Sequence, residues 1–147
     1  MPVGHGDLSK ADLLSETELE QSVVITDPSL PDNPMIFVSD EFEKQTGYPP
    51  EEAVGRNCRF LQGPDTDPSA IEKIRQVLRE KGEISIDILN YRRDGTEFWN
   101  RLRIRPLYGD DGDIMFFVGA QNPIDQSDVR TEYVGSTQDS RLGSENK

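Results

Sequence analysis

The chain predicts an α+β domain: an antiparallel five-stranded sheet with short helices on one side. Three observations carry this expectation. Two apolar, largely β-branched runs come first, at residues 22–26 and 35–38. Several short helical segments and one longer one follow. Three longer strand-like runs then close the domain, separated by turns containing Asp-Gly.

Taken in order, Ser22-Val23-Val24-Ile25-Thr26 reads as a strand stopped by Asp27-Pro28. A Pro-rich loop leads to a second strand, Met35-Ile36-Phe37-Val38. Ser39 reads as the N-cap of a helix running through Phe42 to Thr46, with Gly47 as its stop. Pro50 to Val54 makes one more helical turn, ended by Gly55, and Cys58-Arg59-Phe60-Leu61 another, ended by Gly63-Pro64. The clearest helix opens at Asp67-Pro68, with Asp at the N-cap and Pro at the first helical position. It presents Ile71, Ile74, Val77 and Leu78 on one face and stops at Gly82. Strands are expected over residues 83–92, 96–107 and 114–121.

Three regions result: an N-terminal extension (1–20), the core (21–123) and a polar C-terminal extension (124–147). In the first, Leu8, Ala11, Leu14 and Leu19 are spaced for one face of an amphipathic helix, with Ser9 as its cap. In the last, Ile124, Val129 and Tyr133 suggest a weak helix, followed by a frayed tail from Asp139.

Composition narrows the function. With 16 Lys+Arg against 28 Asp+Glu the formal net charge is -12, which argues against nucleic acid or an anionic membrane as partner. No apolar run approaches the ~20 residues of a membrane span. The N-terminus lacks the pattern of a secretory signal, and the single cysteine fits a reducing, cytoplasmic setting. One cysteine and one histidine supply neither a metal site nor a Cys–His pair, which counts against a thiol enzyme, and the chain is expected not to be an enzyme.

The strands carry amides where a core wants hydrocarbon. The rows Ile86/Ile88/Asn90, Phe98/Asn100/Leu102/Ile104 and Met115/Phe117/Gly119/Gln121 each alternate onto one face, and each holds one carboxamide. An unpaired buried amide costs about 1–3 kcal/mol. Either each lies near a strand end and meets water, or the three face the polar edge of a bound planar heterocycle. Gly119 would admit such a ring close to the sheet. Arg59 and Arg75 are the guanidinium groups that a phosphate on this ligand would want, although Arg75 equally reads as a solvated helix residue paired with Glu72. Neither a Gly-x-Gly-x-x-Gly turn nor a P-loop is present.

The stretch GRNCRFLQG at residues 55–63 resembles the flavin-attachment motif of LOV domains, the blue-light-sensing branch of the PAS fold. ITDPSLPDNPMIFVSDEFEKQTGY (25–48), ILNYRRDGTEFWNRLRIRPL (88–107) and FFVGAQNP (116–123) follow the family pattern in the same order. The resemblance covers residues 22–123, and the arrangement is similar to that of bacterial short LOV proteins, which lack an effector domain. It implies a PAS fold and a non-covalently held FMN in the dark, with riboflavin or FAD as minor occupants. The short stretch Gly63-Pro64-Asp65-Thr66-Asp67 favours FMN over FAD. By motif match, Cys58 is implied as the photoreactive thiol, bonding reversibly to flavin carbon C4a under blue light. Asn57, Gln62, Asn90, Asn100 and Gln121 are implied to hydrogen-bond the ring and ribityl chain, and Arg59 and Arg75 to hold the phosphate. Thr26, Asn33, Leu61, Leu102 and Phe117 are implied to line the ring pocket. A half-turn of the Gln121 amide, from donor to acceptor, would carry the change toward the C-terminal extension. The expected output is a change in contacts, either in a homodimer formed through the N-terminal helix and the sheet face or with an unidentified downstream protein. Two rivals are a light-insensitive PAS module with an ordinary buried thiol, and a thiol-based enzyme or redox sensor.

Overall fold

The structure is a computed structural model that describes residues 13–130 and 134–136. Its main sheet is built from β1 (Ser22–Thr26), β2 (Met35–Val38), β3 (Glu83–Tyr91), β4 (Glu97–Tyr108) and β5 (Ile114–Gln121), all paired antiparallel in the order β2-β1-β5-β4-β3. The first and last strands of this sheet in chain order, β1 and β5, therefore lie side by side. Thr26 pairs with Phe117, Ser22 with Gln121 and Ile88 with Asn100, so the three amide-bearing rows share one face.

Helices α2 (Asp40–Thr46), α3 (Pro50–Ala53) and α4 (Pro68–Arg79), with a 3₁₀ turn at Cys58–Leu61, cover that face. They make two separate apolar clusters. One joins Val24, Met35, Val38, Phe42, Ala53 and Leu61. The other joins Ala70 and Val77 of α4 to Ile84, Ile86 and Ile88 of β3. A third cluster, on the opposite face, is built from Val23, Ile25, Phe37, Phe116, Val118 and Ala120 and closed by Leu14.

Local chemistry explains most of these boundaries. Asp67 accepts from Ser69 N at 2.9 Å and Pro68 starts α4, as the sequence suggests. Gly47 ends α2 at φ 83, a conformation that favours glycine. Ser39 holds the N-cap position of α2 but does not cap it. Its hydroxyl instead accepts from Val23 N (2.9 Å) and donates to Gln21 O (2.7 Å), fastening the helix start to β1.

Two expectations are corrected at the ends. Residues 8–20 do not form one continuous helix. Ser15 is extended at ψ 163 and starts a four-residue helix, α1 (Glu16–Leu19), through a capping box with Glu18. Leu14 lies before that cap, buried against the sheet, while Leu8, Ser9 and Ala11 fall outside the described residues. After β5 the chain does not form a weak helix. Pro123–Ile124 makes a short strand, β6, on β4; Gln126–Asp128 is a 3₁₀ turn; and Val134–Ser136 makes β7 on the outer edge of β3. Tyr133 and the tail from Asp139 lie outside the described residues.

Candidate flavin-binding cavity

A cleft, partly open to solvent, lies between the sheet and its helices where the two apolar clusters stop short of each other. Of the residues singled out from the sequence, Thr26, Asn33, Asn57, Cys58, Arg59, Leu61, Gln62, Asn90, Asn100, Leu102, Phe117 and Gln121 all line it. Arg75 does not. Its side chain is exposed, with Nη1 3.5 Å from Glu72 Oε1. Sequence reading missed Val24, Ile74, Leu78, Ile88 and Ile104 as walls of the cleft, although all but Val24 belong to an apolar row or face it had already drawn.

The strand amides are buried, which removes solvent as their partner: Asn90 is 5% exposed, Asn100 1% and Gln121 3%. They are partly satisfied by each other and by the backbone. Asn100 Nδ2 donates to Asn90 Oδ1 at 2.9 Å, and Asn100 Oδ1 accepts from Asn122 N at 2.9 Å. Gln121 Oε1 accepts from Ser22 Oγ at 3.1 Å. Ser22 is therefore a further residue that sequence reading missed, although its strand parity with Thr26 marks it. Across the cleft, Asn33 Oδ1 is buried without a hydrogen-bond partner. Hydrocarbon walls with unspent amide donors and acceptors fit a flat heteroaromatic ring with a mixed polar edge.

Cys58 is the first residue of the 3₁₀ turn. Asn57 holds that turn, its Oδ1 accepting from Arg59 N at 2.9 Å and its Nδ2 donating to Asp32 O at 2.7 Å. Burial among apolar neighbours pushes the thiol up to about 12, so it is protonated at neutral pH. Arg59 makes a two-pronged pair with Asp32, with Nη1 2.9 Å from Oδ1 and Nη2 2.5 Å from Oδ2.

The turn after the cysteine helix is fastened to β3. Thr66 Oγ1 donates to Leu89 O at 2.7 Å and accepts from Gly63 N at 3.0 Å, while Asp65 N donates to the Tyr91 hydroxyl at 2.9 Å. Gly63 lies against the Tyr91 ring. A Cβ there would fall 2.3 Å from Cε1 and 2.5 Å from Cδ1. Replacing Gly63 with Ala should therefore cost about 1–3 kcal/mol, read as a lower midpoint in thermal unfolding. A change below about 0.5 kcal/mol would mean that the ring swings away freely.

Residues 20–124 match the family model described as a PAS domain. Over 111 residues the chain is 50% identical to the blue-light photoreceptor of Listeria monocytogenes, covering 76% of this chain and 42% of that protein. It is 47% identical over 110 residues to Phototropin-2 of Oryza sativa, covering 75% of this chain and 12% of that one. Its fold superposes on the dark structure of the blue-light photoreceptor Aureochrome1 LOV with a TM-score of 0.74, at 41% identity, covering 86% of this chain and 91% of that one. On these grounds the chain belongs to the LOV domains of the PAS family.

Proposed function

We propose that this chain is a blue-light receptor module that holds FMN in the cleft and uses Cys58 as its photoreactive thiol. The observation that carries this reading is that Asn90, Asn100, Gln121 and the chain's single cysteine face one cavity. A bound flavin supplies absorption of blue light and, once excited, a ring carbon to which a thiol can add.

The protein's own part is positional. The 3₁₀ turn, fixed by Asn57, holds the Cys58 sulfur at the cavity wall. Burial keeps that sulfur protonated, so it is a poor nucleophile in the dark and carries its own proton into the reaction. This weighs against the thiol enzyme and the redox sensor, both of which need a thiolate. Among the described residues, no group of three or more His, Cys, Asp and Glu is arranged to hold a metal. Gln121 is poised for both states. In the observed orientation it offers Nε2 to the cavity while Ser22 donates to Oε1. A hydroxyl also accepts, so a half-turn of the amide keeps the Ser22 contact and turns Oε1 to the cavity. The close-fastened turn at residues 63–67 supports FMN over a larger dinucleotide.

The route outward has two strands of evidence. Gln121 ends β5, and Asn100 bonds the backbone of the next residue, Asn122. We read the flanking segments as the output, acting within a homodimer or on another protein. Among the described residues no helix is long and apolar enough to cross a membrane.

Purified full-length chain should be yellow, lose its blue absorption band under blue light and regain it in darkness. Failure to take up any flavin, or a spectrum unmoved by illumination, would end this reading.

A further inference from the structure

Arg59 is the one charged side chain among the described residues lining the cleft. Yet both terminal nitrogens of Arg59 already face the two carboxylate oxygens of Asp32. An Arg fork of this kind is the geometry that a phosphate would itself demand. Asp32 is also not free to leave. It sits at φ 69, followed by Asn33 at φ 48, in a left-handed bend. Asn57 pins the backbone there, donating from Nδ2 to Asp32 O at 2.7 Å and lying 3.5 Å from Asn33 O, while also capping the turn that carries Arg59. The carboxylate and the guanidinium thus ride on two segments stapled together by a third side chain.

We propose that Asp32 competes with the ligand's phosphate for Arg59, and is the residue that limits how strongly this cleft prefers a phosphorylated flavin over the same flavin without its phosphate. The inference rests on the flavin reading given above. A phosphate at Arg59 must displace the carboxylate or share the guanidinium with it, and in either case the tethered negative charge stays within reach. The uncharged flavin core gains nothing from Arg59 and loses nothing to Asp32. The mutual attraction of the pair is felt at Asp32, whose carboxyl is held below the usual range by its hydrogen bonds to Arg59.

The test is a competition. Full-length chain is equilibrated with equal amounts of FMN and riboflavin, and the bound ratio is read by chromatography of the released flavin. Asp32→Asn keeps the shape, and Asn tolerates the left-handed backbone. It should raise the FMN-to-riboflavin ratio on the order of tenfold while leaving riboflavin retention unchanged. Arg59→Gln should lower the ratio. An Asp32→Asn ratio that is unchanged or lower would overturn the proposal, the second result showing that Asp32 orients Arg59 rather than competing for it. A ratio insensitive to Arg59→Gln would overturn it too, placing the phosphate elsewhere. Failure to bind either flavin would instead strike at the reading of the cleft. Retained riboflavin in each variant shows that the fold is intact.

Discussion

Cys58→Ala protein should remain yellow and show no bleaching under blue light at intensities that bleach the parent completely. The effect is all-or-none because the chain has no second cysteine. The substitution removes one sulfur from the edge of the cluster formed by Val24, Met35, Val38, Phe42, Ala53 and Leu61. Loss of that packing costs about 1 kcal/mol, too little to unfold a domain of this size. The groups expected to hold the ring lie on other strands and are untouched: Asn90 and Asn100 stay bonded to each other, and Gln121 to Ser22. Absorbance after a saturating blue pulse separates the outcomes. Undiminished bleaching in the variant would assign the chemistry to another residue. A colourless variant would mean that the sulfur is needed to hold the ligand.

Asp87→Ala should lower stability by about 3 kcal/mol at neutral pH, a fall in unfolding midpoint of roughly 10 °C. Asp87 sits on the face of β3 away from the cleft, with a fully buried side chain. Burial alone would raise its pKa. The hydrogen bonds from Arg101 (2.8 and 3.0 Å) and from Arg130, including the Arg130 backbone N at 2.7 Å, reverse that and bring it down to about 2. A carboxyl depressed on folding contributes stability above its unfolded pKa, near 3.9, and loses it as pH falls through the folded value. The gap between parent and variant should therefore be full at pH 5–7 and narrow between pH 4 and 2. About 2 kcal/mol of it follows from the shift itself. The same contacts hold the C-terminal segment, since Arg101 Nη2 also donates to Asp128 O at 3.0 Å. Amide exchange over residues 128–130 should accelerate in the variant more than exchange in β1. Equal protection there, or a stability gap independent of pH, would count against Asp87 as the clasp.

The fold was legible where its determinants are local. The Asp-Gly turn before β4, the Asp-Pro start of α4 and the glycine stop of α2 each act within a few residues of themselves. The capping box of Ser15 and Glu18 was equally local, and a wider apolar spacing that ran across it hid it. The short strands β6 and β7 were not legible, because two or three extended residues have no pattern of their own and form only against a partner. In the cleft, strand parity and motif named most of the wall. What escaped them was pairing over distance: Ser22 with Gln121, 99 residues apart, and Asp32 with Arg59, 27 apart. Arg75 was read two ways from the sequence, and the contact seen here is the local one, with Glu72 one turn back at 3.5 Å.

The cleft divides the helical face of the sheet into two apolar clusters. A domain divided in this way has an unfinished interior, and the ligand serves as its missing piece of core. Folding and loading then form a single equilibrium. Each tenfold rise in free flavin beyond its dissociation constant deepens the native well by about 1.4 kcal/mol. The abundance of the intact receptor thereby reports the supply of its own chromophore before any light arrives.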